Sequence, residues 1–523
     1  MKRLFYNGSI LTMDGTYTEA LLIQDGMIQA VGTLREMERQ CDPQTERTDL
    51  AGCALLPGFI DGHSHLTSVA RTMGMIDLRG ADSFEEILRR MQEYQKTNSG
   101  EYGDWLMGFG YDHTVLKEGK HPDAALLDQV STDRPVMITH TSFHMGVVNH
   151  AALKRLRIGE ETLDPDNGKI GRVDGSSCPN GYLEEGAFMQ AGSQLPSPSE
   201  ELMHKRIREA EQYYFSYGIT TIQDGMTDAA GWNLLRNMAE AGELTADIVA
   251  YTDVRLEKTE EQEKFRAYCG HLKWGGYKLF LDGSPQGRTA WMLTPYVGSD
   301  FYGYPVHSDE EVKKYTHKAV KQGVQLLTHC NGDAAAEQLI SAFEQEEDFA
   351  RLRPVMIHAQ LVRGSQLKRM GRLGIIASFF PAHVYYWGDV HMKNFGLQRA
   401  SAISPVRTAM EAGVICNLHQ DTPVIAPNML ETMWCAVRRM TKGKVCLGAE
   451  YAITPYEALR AVTKDAAFAY FEESKKGTLT PGKKADMIIL DRSPLSCPPD
   501  ELRKVAVLET IKDGKTVYQK EKE

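Results

Sequence analysis

His63 and His65 stand two residues apart at the end of an apolar run, Leu55-Leu56-Pro57-Gly58-Phe59-Ile60-Asp61-Gly62. The run reads as a strand over 55–62. Strand side chains alternate between faces, so the two imidazoles point the same way. Two imidazoles converging at a strand end can grip a divalent cation, zinc first among the candidates. A His-x-His pair recurs by chance, so the reading depends on further ligands. Four residues at the ends or inward faces of other predicted strands could supply them. Lys278 lies in Gly275–Gly283, His329 closes Leu326-Leu327-Thr328-His329, His358 closes Val355-Met356-Ile357-His358, and Asp421 follows Leu418-His419-Gln420. Each has a bland explanation. A lone strand-end histidine is more often a satisfied polar residue than a ligand. Asp421 before Thr-Pro could begin a turn or cap a helix, and Lys278 could pair with Asp282. Together, these explanations require four histidines and an aspartate to gather at one place by accident.

The elements that must position these residues follow a strand–helix rhythm. Candidate strands lie at 55–62, 218–224, 246–253, 276–282, 324–329, 354–358, 374–380 and 414–420. Amphipathic segments such as Ala334–Glu344 and Ser365–Arg372 separate most of them, as crossovers between parallel strands must. The expected fold class is therefore α/β, a (β/α)8 TIM-type barrel over 55–467. About 150 residues separate its first two strands, too many for a plain crossover. This insertion, 68–215, contains Trp105–Tyr111, Pro135–Thr139 and the glycine-rich Asn167–Gly181. It follows the first strand, so it should rise over the C-terminal face as a lid or substrate-recognition subdomain. Both ends of the chain are strand-rich, with turn signals at Asn7-Gly8, Asp25-Gly26 and Asp513-Gly514. They predict a small composite β-sandwich domain built from 1–54 and 468–523; two separate edge hairpins are the alternative.

Composition narrows the class. The chain has 523 residues, 42% hydrophobic and 25% charged, with a formal net charge of -11 and no basic stripe. That balance argues against nucleic acid or an acidic membrane as partner. The nine cysteines are scattered, odd in number and without a CxxC pair, which suits a reducing compartment. Met1-Lys2-Arg3 leads straight into strand-like sequence without a signal-peptide core. No stretch approaches the ~20 apolar residues of a membrane span. The expectation is a cytoplasmic protein acting on a small molecule.

With these residues assembled, the chain resembles the amidohydrolase superfamily of metal-dependent hydrolases. Within it, it is similar to the branch that includes N-substituted formamide deformylases. The matching pieces are Pro57–His65, Lys278–Gly283, Thr328-His329-Cys330-Asn331-Gly332-Asp333, His358-Ala359-Gln360, Asp421-Thr422-Pro423-Val424 and Pro481–Asp486. The resemblance implies that His63 and His65 hold the more buried metal with Asp421, that His329 and His358 hold a second, and that Lys278 bridges them if carboxylated. A carbamate has two anionic oxygens where an ammonium has no lone pair to donate, and nearby cations stabilise it. Zinc is the expected metal, one or two per chain. A metal lowers the pKa of bound water to about 7. Asp421 would take the proton as hydroxide attacks a carbonyl carbon and pass it to the leaving nitrogen, while the metal, with His358 or a side chain of the insertion, would stabilise the oxyanion. In the insertion, Phe143–Asn149 resembles a substrate-side histidine segment, with His144 as its histidine and Ser142-Phe143 where the branch has Asp-Gly. Gly181–Glu185 resembles a segment that brings a glutamate, Glu185, toward the site. Gln420 replaces a usual serine.

Arg288 and Arg438 are candidates for a substrate carboxylate, and Trp291, Tyr385, Tyr386 and Trp387 for an apolar pocket. The leading function is hydrolysis of an amide-like, non-peptide C–N bond. Ester or lactone hydrolysis, or ring deamination, on the same site is the enzymatic alternative, and a non-catalytic barrel scaffold or regulatory protein the other. The resemblance also implies a homodimer.

Overall fold

Eight parallel strands occupy the centre of the chain and hydrogen-bond in sequence order. They are β1 (Phe59–Ile60), β2 (Ile219–Thr227), β3 (Asp247–Asp253), β4 (Leu272–Phe280), β5 (Gln325–Cys330), β6 (Val355–His358), β7 (Ile376–Phe379) and β8 (Cys416–Leu418). The computed structural model describes residues 2–16, 18–97, 101–165, 167–196 and 198–521. Met1, Tyr17, Lys522 and Glu523 of the expected composite domain, and Asn98–Gly100, Asp166 and Ser197 of the expected insertion, lie outside the described residues. The strands are almost wholly buried, as strands covered on both faces must be. Helices follow them with side-chain caps: Asp228 accepts from the Gly231 N–H at the start of Ala229–Glu240, and Ser308 and Glu311 form a capping box at Asp309–Lys321.

The sheet curls until the loops after its two edge strands meet. The Asp421 N–H donates to the His63 carbonyl (3.2 Å) and the His65 N–H to the Thr422 carbonyl (2.9 Å). A Cβ at Gly62 would lie 2.6 Å from Asn417 Oδ1 and 2.7 Å from the Leu418 carbonyl, so only glycine permits this approach. The result is a TIM-like barrel.

The apolar run before His63 is not one strand. Ala54–Pro57 pairs antiparallel with Met487–Leu490, near the C-terminus, while Phe59–Ile60 joins β2 in the barrel. The break falls at Gly58, whose N–H donates to the Asp486 carbonyl (2.9 Å) and whose missing Cβ leaves room for Thr220. One short run thus belongs to two sheets, and hydrophobicity cannot mark the change because both halves are buried.

Strands from the two ends share a five-stranded sheet: Ser9–Ile10, Ala54–Pro57, Met487–Leu490, Val507–Lys512 and Lys515–Gln519. Phe5, Leu21, Leu55, Met487 and Ile511 form a common core with the neighbouring four-stranded sheet. Between β1 and β2 the chain builds a separate six-stranded sheet, from Ile76–Asp77 to Pro179–Glu185, with its own apolar clusters. Among the described residues no helix is long and apolar enough to cross a membrane.

A buried ion network fastens the base of the barrel to the C-terminal segment. Asp247, the first residue of β3, receives Lys476 at 2.5 Å, Lys484 at 3.1 Å, Lys512 at 3.2 Å and His271 at 2.8 Å. Lys512 also pairs with Asp486 at 3.1 Å. Removing one partner of such a buried network leaves uncompensated charge, which costs about 3–5 kcal/mol. Asp247→Asn is therefore expected to lower the free energy of unfolding by that order, read as a lower midpoint in urea. An unchanged midpoint would show that the network carries no stability.

Candidate metal centre

His63 and His65 lie in the loop after β1, not on a strand. Pleat alternation therefore does not aim them; hydrogen bonds do. His63 Nδ1 bonds the Gln223 side-chain oxygen, and His65 Nδ1 lies 2.5 Å from the Gly225 carbonyl. Both acceptors come from β2. Protons held at Nδ1 leave both Nε2 lone pairs facing the barrel axis. There they meet Asp421 Oδ1, at 3.4 Å from His63 and 3.3 Å from His65. A Cβ at Gly225 would lie 2.6 Å from the His63 ring, so this glycine makes room for the imidazole.

The other predicted residues arrive from the neighbouring strands. Lys278, on β4, is fully buried, with Nζ 3.3 Å from His63 Nε2. It does not pair with Asp282, whose carboxylate instead accepts the backbone N–H groups of Gly332, Asn331 and Trp291 at 2.7–3.0 Å. His329 Nδ1 and His358 Nε2, on β5 and β6, are 3.0 Å apart, and His358 Nε2 is 4.0 Å from Asp421 Oδ2. Burial pushes His63, His329 and His358 well below the ordinary histidine range, so their lone pairs are free at neutral pH. Burial also pushes Lys278 down to about 7. For Asp421 burial acts upward, but His65, His358 and His63 outweigh it and hold the carboxyl well below its usual range. Its Oδ1 is buried without a hydrogen-bond partner. A carboxylate oxygen and imidazole nitrogens, acceptors facing one another at 3.3–3.4 Å, are what a cation would reconcile.

His63, His65, His329, His358 and Asp421 line one cavity of about 450 Å³. His144 and Glu185 line it too, joined Nδ1 to Oε2 at 2.8 Å. Much of the remaining wall is apolar: Phe143, Phe188, Met189, Met226, Leu279 and Phe280. Phe143, Glu185, Met226, His358 and Asp421 all have positive φ, a strained conformation for such side chains that clusters at functional sites.

Arg288 does not line this cavity. Its guanidinium donates to Ser299 (2.9 Å) and lies over Tyr296. Arg438 pairs with Asp500 at 2.8 Å, and Trp291, Tyr385, Tyr386 and Trp387 lie outside the cavity wall. The arginines in the wall are Arg71, paired with Asp228, and Arg255, paired with Asp253. Asp228 and Arg255 follow the ends of β2 and β3, so the barrel's C-terminal-end rule could have found them. His419 was missed although it stands two residues before Asp421. Its Nε2 is 3.2 Å from His358 Nδ1 and its Nδ1 is 2.9 Å from Ser378 Oγ, so it orients His358 from behind.

An amidohydrolase family model matches residues 46–518. The chain is 28% identical to the N-substituted formamide deformylase of Arthrobacter pascens, covering 99% of this chain and 98% of that protein. It is 26% identical to a putative amidohydrolase of Bacillus subtilis (strain 168), covering 99% and 100%. An uncharacterized metal-dependent hydrolase of Pyrococcus horikoshii OT3 superposes with a TM-score of 0.77 at 26% identity, covering 96% of this chain and 99% of that one.

Gln223 also donates from Nε2 to Tyr470 (2.6 Å) and to the Gly62 carbonyl (3.1 Å), so its amide is fixed. Gln223→Leu frees the His63 ring without touching a donor atom. Losing such an outer hydrogen bond typically costs 10–100-fold in metal affinity. Competition with a chelator of known affinity is expected to show a loss of about that size, and equal affinities would refute the orienting role.

Proposed function

The chain belongs to the amidohydrolase family and is a metal-dependent hydrolase of carbon–nitrogen bonds other than peptide bonds, and on that premise we propose that its substrate is a small N-substituted amide of the formamide kind. The observation that carries this reading is one cavity with two unlike ends. Imidazoles and a carboxylate form one end, and aromatic and methionine side chains much of the rest. The polar end suits a reacting carbonyl, and the apolar wall an uncharged substituent on nitrogen. Likeness to the Arthrobacter deformylase supports a small acyl group.

His63, His65 and Asp421 would hold one divalent ion and His329 and His358 a second, with Lys278 as a carbamate between them. Zinc suits this nitrogen and carboxylate donor set. When bound, such an ion lowers the pKa of water to about 7 and polarises a carbonyl oxygen. The protein's own groups do the rest. Asp421 accepts the proton of the attacking water and returns it to the departing nitrogen. His144, steadied by Glu185, faces the same cavity as a donor to the carbonyl oxygen. The apolar wall excludes competing water and fixes the nitrogen substituent.

Asp421→Asn keeps the side chain's size and removes its basicity. The expected result is a fall in kcat of about 10²–10⁴, the range of a lost general base, on an N-substituted formamide that the unaltered protein cleaves, with native circular dichroism. A near-normal kcat would overturn the proton role. The substrate class is tested by a panel of N-substituted formamides, longer amides, lactones and aminated rings. Turnover confined to lactones or rings in the metal-loaded protein would overturn the amide assignment. Lys278→Ala is expected to lower bound metal, with added short carboxylic acids restoring part of it. Unchanged metal content would remove Lys278 from the bridge.

A further inference from the structure

A second cavity, of about 310 Å³, opens at the end of the barrel opposite the metal centre. Its wall includes Lys273–Gly275 at the start of β4, Gln325 as the first residue of β5, and Tyr470–Glu472 just after the helix Lys464–Ala469. Barrel chemistry belongs to the other face, so this hollow is separate from the hydrolytic site. Its floor is preformed. A Cβ at Gly275 would lie 2.4 Å from the Tyr251 ring, so that glycine makes room for the ring. The Tyr251 hydroxyl donates to Gln325 Oε1 (2.6 Å), and the Gln325 amide donates to the carbonyls of Arg353 (2.7 Å) and Ala469 (2.9 Å). The Tyr470 hydroxyl donates to the Asp61 carbonyl (2.6 Å), and the Trp274 indole N–H to the Thr252 hydroxyl (3.1 Å). These floor groups are satisfied and call for no ligand.

The rest of the wall is different. It carries Arg266, Arg351 and Lys475. Among the described residues, the charged ends of Arg351 and Lys475 meet no hydrogen-bond or ion-pair partner. Arg266 donates to the Gly323 carbonyl (2.8 Å) and stands 3.7 Å from Glu263, which leaves other guanidinium N–H groups unused. The Tyr268 hydroxyl is buried in the same wall without a hydrogen-bond partner. Among the described residues one carboxylate lines the cavity, Glu472, and it is answered by Lys273 and by Lys476 at 2.7 Å. The uncompensated groups are therefore donors, and three of them are cations, in a chain whose formal net charge is -11. Like charge disfavours a cation here. An anion is what these donors can hold, and guanidinium groups hold oxyanions bidentately. Phe471 stands beside them, 44% exposed and with φ +60°, a strained backbone for an aromatic residue.

We propose that this cavity binds a small organic oxyanion, a carboxylate or a phosphate on an apolar body. The anionic group is held by Arg266, Arg351 and Lys475, with the Tyr268 hydroxyl as a further donor, and the apolar body lies against Phe471. Among the described residues the wall has no imidazole, and its one carboxylate is paired, so it offers no base. The ligand is held there and not transformed.

The test is isothermal titration of the metal-loaded protein with benzoate and with phenyl phosphate, at low and at high salt. Both anions can also bind metal ions, so each titration is repeated on His63→Asn/His65→Asn. The expected result is saturable binding of at least one anion that persists in this variant and weakens at high salt. Arg351→Gln/Lys475→Gln is expected to weaken it by about tenfold or more, the loss of a charge-assisted hydrogen bond. Both residues are exposed, so the variant spares the fold, and native circular dichroism checks this. Which anion binds distinguishes a carboxylate site from a phosphate site. Saturation by neither anion would overturn the proposal, as would equal affinity in the Arg351→Gln/Lys475→Gln variant. Binding that vanishes in His63→Asn/His65→Asn would place the anion at the metal centre and overturn it too.

Discussion

A carboxylate sunk among imidazoles is the interaction on which this structure turns. Burial pushes the Asp421 carboxyl upward, yet the imidazoles around it hold it well below its usual range, and one of its oxygens has no hydrogen-bond donor. Burying such a group is costly unless something positive completes it. The site therefore stores an unmet electrostatic demand, which is the condition under which a cation binds tightly and specifically.

That demand can be held in place only by a frame that does not relax. Positive φ angles at His358, Asp421, Glu185, Phe143 and Met226 each cost energy. The surrounding sheet over-determines them. Barrel closure at Gly62 locks the loop of His63 to the loop of Asp421, and Gln223 and Gly225 of β2 fix both rings of the histidine pair. At the other end of the barrel, Asp247 and its lysines hold the strands to the C-terminal segment.

The cavity wall away from the donors divides its labour differently. Arg71 and Arg255 reach it paired with Asp228 and Asp253, so each brings its own counter-charge to the wall. Phe188, Met189 and Phe280 offer surface without direction. Selection within the apolar part would then rest on fit and desolvation, whereas His144 and Glu185, bonded to each other, present polar groups to the same cavity.

Much of this was legible in the residues. Parallel strands need crossovers, so the alternation of apolar runs with amphipathic segments determined the barrel, and Lys278, His329, His358 and Asp421 could be placed because each lies in or just beyond a buried run. The long gap after the first strand likewise announced an added subdomain. Tertiary structure decided the rest. Pattern could not show that Ala54–Pro57 and Phe59–Ile60 enter different sheets, since hydrophobicity reports burial and not partner. It pointed to Arg288 and Arg438 and not to Arg71 and Arg255, because an arginine's target depends on which carboxylate it meets. The kinds of ligand and their order along the chain belong to the sequence. Their distances belong to closure of the sheet, because coordination is settled within a few tenths of an ångström between atoms hundreds of residues apart.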